Sequence, residues 1–283
     1  MSADDVTLPD VHTVPALLAR RRQADGERRA VVTAEEAVTY AELDRSSAAR
    51  AAQLVAAGVV KGDRVALLAP NGTDWALSAY AVLRIGAVLV PLSTLLRPPE
   101  LLAQLTTASV SHLVTTPAFR DRSYLDDLET AAPGLVPALR SGARHAAAPS
   151  LRAVWTTDGW PPAAAAAGLV RALEGRVRPA DDLVVLFTSG SRGAPKGVIH
   201  THGAALRAVG AGLGARCVGP GERLYIPMPF FWTGGFGQGL LSVLMAGATL
   251  LTEAEPDPTR TLELLVRERA TLFRGWPDQA ARL

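Results

Sequence analysis

The residues best suited to chemistry lie in the stretch 183–203, where an apolar run gives way to hydroxyls, glycines and one lysine. The apolar residues 183–187 predict a buried strand that ends in a loop. Glycines in such a loop let successive backbone N–H groups turn towards one centre, which favours an anion. Hydroxyl donors and two cations complete a set that suits a polyphosphate. The candidate phosphate-binding residues are Thr188, Ser189, Gly190, Ser191, Arg192, Gly193 and Lys196.

This loop does not match the general P-loop motif G-x-x-x-x-G-K-S/T. Lys196 follows Pro195 rather than glycine, and it precedes Gly197 rather than serine or threonine. A metal-binding hydroxyl therefore has no place directly after the lysine. The mismatch disfavours an NTPase of the P-loop type, which would release orthophosphate. A surface loop rich in glycine and serine is the alternative that the residues leave open.

Two histidines follow the loop, His200 and His202. Two ligands at this spacing, without a nearby cluster of cysteines or carboxylates, make a weak metal site, and we predict no bound metal here. Thr201 between them is a good N-cap for a helix. We expect His202 to lie at the start of that helix and to face a ligand cleft.

A second group of candidates combines aromatic residues with glycines. It consists of Phe231, Trp232, Gly234 and Gly235, preceded by Phe230. These aromatics could pack in the core, or they could form the wall of an apolar pocket in which glycine leaves room for a ligand. The residues themselves leave both interpretations open.

The elements that must position these residues alternate between strands and helices from residue 38 onward. Near-continuous apolar strands separated by amphipathic helices indicate mostly parallel sheets covered on both faces. We predict an α/β fold of mostly parallel sheets flanked by helices, with a first α/β subdomain over 1–170 and a second over 171–283. The expected elements include a helix from an Asp44 cap to Gly58, a helix capped by Thr73, a helix opened by Pro98 or Pro99, and an exposed connection over 131–150.

The composition is that of a globular protein, with 48% hydrophobic residues, 20% charged residues and a formal net charge of +2. Scattered arginines disfavour a nucleic-acid partner. The single cysteine, Cys217, excludes an internal disulfide, and we expect it to be at least half-buried. The uncharged stretch 230–251 is long enough to span a membrane, but its glycines and Gln238 favour a loop, a buried helix and a strand. With no secretory signal at the N-terminus, we predict a cytoplasmic protein without a membrane span.

Residues 188–198 resemble the phosphate loop of the adenylate-forming superfamily, whose pattern is T-S-G-S/T-T-G-x-P-K-G-V. This superfamily includes acyl-CoA synthetases, luciferases and the adenylation domains of peptide synthetases. Arg192 departs from the pattern, because threonine is usual there. Further stretches resemble the family in the same order along the chain, and they are 38–43, 62–66 with Asn71, 85–92 and 227–235. In the last one, Trp232 stands where the family has a histidine.

The resemblance implies the first two subdomains of the family's large N-terminal region and a two-step ligase reaction. A carboxylate and ATP would give an acyl-adenylate and pyrophosphate, and CoA would then give a thioester, as in fatty acid metabolism. Mg²⁺ would accompany ATP. Lys196 would be the catalytic residue of the phosphate loop, and the resemblance favours a substrate pocket formed by His202, Phe231, Trp232, Gly234 and Gly235. Trp232 also replaces the aspartate with which peptide synthetases meet an amino group, so an amine-free carboxylate is favoured.

The resemblance also implies that the family region is incomplete here at its C-terminal end. Family segments that supply a glutamate tied to magnesium, an aspartate that binds ribose and a lysine of a small mobile domain have no match in this sequence. Whether the chain acts alone is therefore open. The alternatives are a non-catalytic nucleotide-binding half-domain and a half-enzyme that pairs with a separate C-terminal half.

Overall fold

Two sheets flanked by helices organise the protein. The computed structural model describes residues 11–162, 167–188 and 195–283. The elements up to residue 156 are α1 (Val14–Asp25), β1 (Arg29–Val32), β2 (Ala37–Thr39), α2 (Tyr40–Ala56), β3 (Arg64–Leu68), α3 (Thr73–Arg84), β4 (Val88–Pro91), α4 (Pro98–Thr107), β5 (His112–Thr115), α5 (Tyr124–Ala131), α6 (Leu135–Arg140) and β6 (Ala153–Thr156).

The later elements are α7 (Ala167–Glu174), β7 (Asp182–Phe187), β8 (Gly197–Thr201), α8 (His202–Gly210), β9 (Arg223–Tyr225), a π-helical segment (Gly234–Leu241), α9 (Ser242–Ala246), β10 (Thr249–Leu251), α10 (Pro258–Arg267), β11 (Leu272–Phe273) and α11 (Pro277–Ala280). The α/β fold class predicted from the sequence is confirmed. The uncharged stretch 230–251 contains a loop, buried helical turns and a strand, as expected.

The larger sheet has the strand order β6-β5-β3-β4-β7-β8. Its strands pair in parallel except β7 and β8, which form an antiparallel hairpin. Val65 and Leu67 of β3 pack into one core cluster with α2 and α3, while Ala66 and Leu68 pack into another with α4 and α5. Both faces of the strand are therefore buried, which explains why it is apolar at successive positions.

The smaller sheet has the order β11-β9-β10-β1-β2. Strand β1 pairs in parallel with β10, although more than 200 residues separate them in the chain. Each sheet thus combines strands from both halves of the sequence. The boundary predicted between residues 170 and 171 does not divide the sheets, because β7 and β8 extend the larger sheet and β1 and β2 complete the smaller one. Short apolar strands are compatible with either sheet, so tertiary packing decides where they pair.

Helix α2 begins earlier than expected. Thr39, not Asp44, is its N-cap, and it forms a reciprocal capping box with Glu42. The predicted cap at Thr73 is also off by one residue, since Gly72 occupies the N-cap of α3. The spacing Thr39-x-x-Glu42 is itself the sequence signature of a capping box. Local hydrogen-bonding chemistry thus placed the N-cap of α2 five residues before the predicted one.

Two other expectations are wrong. The region 131–150 is not simply an exposed connection, because α6 lies within it and buries Leu135 and Leu139. Cys217 is exposed rather than half-buried, in a turn where its φ is +55°. Across the three described ranges, no helix combines the length and the apolar character needed to cross a bilayer.

Candidate functional site

The β7–β8 hairpin holds both ends of the predicted phosphate loop. Phe187 is in register with Gly197, and the backbone N–H of Thr188 donates to the carbonyl of Lys196 at 3.1 Å. Thr188 and Lys196 are exposed where the hairpin ends. The structure therefore brings these two predicted residues together. Ser189, Gly190, Ser191, Arg192 and Gly193 lie outside the described residues.

Gly197 is required by packing at the base of this loop. A Cβ added there would come within 2.6 Å of the Cγ1 atom of Val185 on the neighbouring strand. Such a distance is far inside van der Waals contact, so a larger residue would displace the hairpin. The glycine after the lysine thus allows β8 to lie close to β7 and holds Lys196 beside Thr188.

An open cleft of about 510 Å³ begins at this hairpin. We call it the main cleft, and its lining residues are Leu186, Phe187, Thr188, Val198, His200, Phe231, Trp232, Thr233 and Gly234. Leu186 and Val198 are cross-strand partners on one face of the hairpin, and His200 lies two residues along that face. The hairpin therefore supplies one wall of the main cleft.

The segment that follows β9 supplies the opposite wall. Phe230 is fully buried, with its ring centroid 5.2 Å from that of Trp75 in an edge-to-face arrangement. Phe231 and Trp232 then turn towards the main cleft with their ring centroids 5.7 Å apart. Phe231 is buried, whereas Trp232 remains 46% exposed. A rigid aromatic base thus supports a wall whose outermost ring is accessible to a ligand.

The two predicted glycines behave differently. Gly234 lines the main cleft, and a Cβ there would meet the Met228 Sδ atom at 2.5 Å. Gly235 is buried and does not line it, and a Cβ there would lie 2.2 Å from the carbonyl oxygen of Pro229. Gly235 therefore permits close backbone packing at the start of the π-helical segment, instead of leaving room for a substrate. Such π-helical turns occur frequently at functional sites.

His202 does not lie in the main cleft, contrary to the expectation from sequence. Its side chain is fully buried, and its Nδ1 atom accepts a hydrogen bond from the backbone N–H of Val14 at 3.2 Å. Burial lowers the pKa of this imidazole to about 4, because the charged form is poorly solvated in the interior. As the first residue of α8, His202 turns into the core where α1 begins. In the structure its described contacts are therefore with the interior and the start of α1.

His200 is the histidine that lines the main cleft. Val198 and His200 share one face of β8 while Ile199 points to the other, and the structure shows that the face of Val198 and His200 meets the aromatic wall. Four further lining residues were not predicted as site residues, and they are Leu186, Phe187, Val198 and Thr233. The hydroxyl-bearing Thr233 and the strand residues gave no motif signal, so only the meeting of the two walls reveals them.

The chemistry of the main cleft is that of a mostly apolar groove beside a cationic loop end. No aspartate or glutamate belongs to the described lining, and Lys196 supplies a positive charge next to Thr188. Within the residues described, no group of histidine, cysteine and carboxylate side chains could hold a metal ion. The arrangement suits a ligand with an apolar part along the aromatic wall and an anionic part at the hairpin end.

A family model described as AMP-binding enzyme matches residues 18–283. The chain belongs to this family of adenylate-forming enzymes. The match extends over the hairpin, the predicted phosphate loop and the aromatic wall, so it includes every part of the main cleft. The resemblance noted in the sequence is thereby confirmed.

The chain is similar to several CoA ligases. One relative is the 3-(7a-methyl-1,5-dioxo-octahydro-1H-inden-4-yl)propanoyl:CoA ligase of Mycobacterium tuberculosis, to which the chain is 32% identical over 273 residues. This match covers 95% of the chain and 52% of the relative. The chain is 33% identical over 258 residues to a feruloyl-CoA synthase of an Amycolatopsis species, covering 91% of this chain and 47% of the relative. The chain thus spans about half the length of the curated relatives it matches.

Solved structures show the same fold at lower sequence identity. The inhibitor-bound N-terminal domain of FACL13 from Mycobacterium tuberculosis aligns with a TM-score of 0.73 and 24% identity, covering 95% of this chain and 64% of that one. The anthranilate CoA ligase AuaEII, in complex with anthranoyl-AMP, aligns with a TM-score of 0.76 and 20% identity, covering all of this chain and 52% of that one. These neighbours establish the fold as that of the N-terminal part of an adenylate-forming ligase.

Proposed function

We propose that this chain forms the ATP- and carboxylate-binding part of an AMP-forming acid–thiol ligase of the acyl-CoA synthetase type. The observation that supports this proposal is the main cleft itself, in which the end of the predicted phosphate loop meets an aromatic wall. One ligand can therefore place a polyphosphate at Thr188 and Lys196 while a second places its apolar part against Phe231 and Trp232. Membership of the AMP-binding family supports the same pairing.

In the proposed first step, a carboxylate oxygen attacks the α-phosphorus of ATP. A new phosphorus–oxygen bond forms, the bond to the β-phosphate bridging oxygen breaks, and pyrophosphate leaves with the bonding electrons. The protein's contribution is positioning and electrostatic stabilisation. Lys196 would offset the charge that moves onto pyrophosphate, assisted by Arg192 and by the donors Thr188, Ser189, Gly190, Ser191 and Gly193. A carboxylate is already ionised at neutral pH, so no general base is required.

In the proposed second step, the thiol of CoA attacks the acyl carbon. A thioester bond forms, AMP leaves with the oxygen that joined it to the acyl group, and the thiol proton passes to solvent. Relatives named as CoA ligases support this step. We assign no described residue to CoA. Mg²⁺ would accompany ATP, and the described residues provide no cluster of metal ligands of their own.

We propose an aryl or fatty carboxylate without an amino group as the substrate class. Phe231, Trp232 and Gly234 would contact its apolar part, and His200 offers the cleft a polar ring. The described lining contains no carboxylate that could pair with a substrate ammonium group. This absence, together with Trp232 in place of the aspartate of peptide synthetases, supports the assignment. A cytoplasmic location remains a prediction from the sequence.

A second proposal is that the chain binds nucleotide without turnover, alone or with a separate polypeptide equivalent to the rest of the relatives. The observation that favours it is coverage, since the matched relatives are about twice as long as this chain. Trp276, which is 42% exposed and has its ring centroid 6.1 Å from that of Trp232, would be available to such a partner. ATP affinity without carboxylate-dependent exchange would distinguish this proposal from the first.

The test is carboxylate-dependent exchange between ATP and pyrophosphate, measured across fatty, aryl and amino acids. Lys196 and Lys61 are the two lysines of the sequence, which provides a matched control. Lys61 lies away from the main cleft and pairs with Asp181 at 2.6 Å. We expect Lys196→Ala to lower exchange about 100- to 1000-fold, the usual effect of losing one preorganised donor, and Lys61→Ala to retain it.

Equal exchange in the wild-type chain and in Lys196→Ala would overturn the phosphate-loop assignment. If the wild-type chain shows no exchange, ATP binding by calorimetry decides between the two proposals. Binding that Lys196→Ala weakens and Lys61→Ala preserves would support the nucleotide-binding half. Binding that neither variant changes would remove Lys196 from the site.

A further inference from the structure

The aromatic wall of the main cleft is tied to the rest of the molecule through one side chain, Asn71. This residue follows β3 of the larger sheet and is half-buried just before α3. Its Nδ2 atom donates to the carbonyl oxygen of Met228 at 3.0 Å, and its Oδ1 atom accepts from the backbone N–H of Phe230 at 2.8 Å. Both donor and acceptor of one amide are thus used on one short segment.

The two backbone groups that Asn71 binds flank Pro229. Proline has no N–H with which to fix its own position, so the groups on either side of it need partners from elsewhere. The Nδ2 atom of Asn71 also donates to the Thr252 hydroxyl at 3.2 Å, and that hydroxyl donates to the carbonyl of Ile226. Asn71 therefore joins the end of β3 to the chain that follows β9 and β10.

The wall is built directly on this anchored segment. The backbone N–H of Trp232 donates to the carbonyl of Pro229 at 3.0 Å, and the N–H of Phe236 donates to the carbonyl of Trp232 at 2.9 Å. The turn that carries Phe231, Trp232 and Gly234 thus begins at Pro229, and Asn71 binds the backbone on both sides of that proline. A shift of Pro229 would displace each of these groups relative to the β7–β8 hairpin.

From this geometry we infer that Asn71 is a positioning residue for the carboxylate side of the site. It sets the distance between the aromatic wall and the hairpin wall, and thereby the fit of the acyl part of the substrate. It does not touch the cleft-lining hairpin or Lys196. The functional meaning of the inference rests on the proposed function, whereas the geometric statement does not.

Only an amide of this length satisfies the three partners. Aspartate would retain an acceptor for Phe230 but would lose both donors, and it would place a carboxylate oxygen against the carbonyl of Met228. Alanine would remove all three hydrogen bonds without adding charge. Asn71→Asp is therefore the sharper variant, and Asn71→Ala serves if the aspartate variant does not fold.

Tyr40→Phe is the matched control. The hydroxyl of Tyr40 donates to the carbonyls of Val243 and Ala248, at 2.8 and 2.7 Å, around the C-terminal end of α9. Removing it eliminates buried hydrogen bonds to backbone carbonyls, as Asn71→Asp does, but at the opposite end of the helical stretch from the wall. Any general loss of stability will therefore appear in both variants.

The decisive measurement is site-resolved hydrogen exchange of the full chain without ligands. We expect Asn71→Asp to accelerate exchange of the Trp232 and Phe236 amides on the order of tenfold to hundredfold, while the amides of β3 keep their protection. Neither reporter amide is bonded to Asn71 itself, so the change would report a displaced wall. Tyr40→Phe should leave the difference in exchange rate between the amides of the aromatic wall and those of β3 unchanged.

A local anchor without influence on the wall would give a different result. In that case only the Phe230 amide would lose protection, and unchanged Trp232 and Phe236 amides would overturn the inference. Steady-state exchange with decanoate and benzoate then adds the functional readout. We expect Asn71→Asp to raise the KM for the carboxylate on the order of tenfold and to change the KM for ATP less than twofold. Lack of turnover in the wild-type chain would count against the proposed function, whereas the hydrogen-exchange result would still decide the position of the wall.

Discussion

The two walls of the main cleft are built in different ways. The β7–β8 hairpin is a local structure, in which residues 10 to 19 positions apart pair and hold the two ends of the predicted phosphate loop. The aromatic wall depends on contacts across the whole chain, since Asn71 binds it from more than 150 residues away and Trp75 packs behind it. The hairpin wall therefore depends on local pairing, whereas the aromatic wall depends on tertiary packing between distant segments.

The largest effect on this difference between the two walls is expected when the ring behind the aromatic wall is removed. Trp75 is fully buried, with its ring centroid 5.2 Å from Phe230 and 6.3 Å from Phe236. We expect Trp75→Ala to lower the free energy of unfolding by about 3–5 kcal/mol, because it deletes a large buried ring. Binding of a carboxylate should weaken along with it, while ATP binding at the hairpin should change less. Urea unfolding and calorimetry would measure the two effects.

Trp155→Ala is the control for this prediction. Trp155 is half-buried on β6 at the far edge of the larger sheet, stacked on His112 with ring centroids 5.3 Å apart. The Trp155→Ala substitution also deletes a tryptophan ring, but it does so away from both walls of the main cleft. Equal losses of carboxylate and ATP binding in the folded Trp75→Ala protein would contradict the division between the walls.

A smaller effect concerns how the free energy of unfolding depends on pH through the buried His202. The pKa of buried His202 is lowered to about 4 in the folded chain, so an unfolded chain binds a proton near pH 6.5 that the folded chain does not. The contribution of a neutral His202 to the free energy of unfolding is therefore fully present above about pH 6.5, and it is lost as the pH decreases towards 4. This one group should cost roughly 2 kcal/mol at pH 5. His112, whose pKa burial also lowers to about 4, contributes in the same direction.

Urea unfolding at pH 7, 6 and 5 would measure this dependence. We expect His202→Gln to be less stable at pH 7 but to lose less stability between pH 7 and pH 5 than the wild-type chain. An unchanged slope in His202→Gln would show that the buried imidazole is not the titrating group.

The smallest expected effects test the alternation of β8. Val198 lines the main cleft, whereas the neighbouring Ile199 does not, and the two side chains are similarly exposed, at 43% and 48%. We expect Val198→Ser to weaken carboxylate binding by about twofold to fivefold, since it removes part of an apolar contact. Ile199→Ser should leave binding unchanged, and each substitution should alter the free energy of unfolding by about 0.5 kcal/mol or less. Equal effects on binding would show that the hairpin wall does not use this face.

Several elements could be predicted because their signals are local. Thr201 caps α8 through a hydrogen bond from the Ala204 N–H, as its position before the helix indicated, and Pro98 begins α4. The capping box at Thr39 and Glu42 is also visible in the sequence, although Asp44 was the predicted cap. These signals depend on groups three or four residues apart, which is why the chain itself carries them.

Other features could not be predicted because they depend on which distant groups meet. Burial of His202 follows from where α1 begins, and exposure of Cys217 follows from a turn with positive φ. The composition of the two sheets could not be predicted, because β1 pairs with β10 and β4 pairs with β7 across the predicted boundary at 170. An apolar strand specifies that it is buried but not which neighbour it binds.

The sequence by itself determined the family, the α/β fold class and the strand after which the predicted phosphate loop begins. Hydrophobic periodicity, capping residues and an ordered glycine–lysine motif are properties of neighbouring residues, so they can be read along the chain. Tertiary structure alone decided that His200 rather than His202 lines the main cleft, and that Asn71 anchors the aromatic wall. These outcomes rest on hydrogen bonds and packing between segments up to 188 residues apart, for which the local sequence carries no signal.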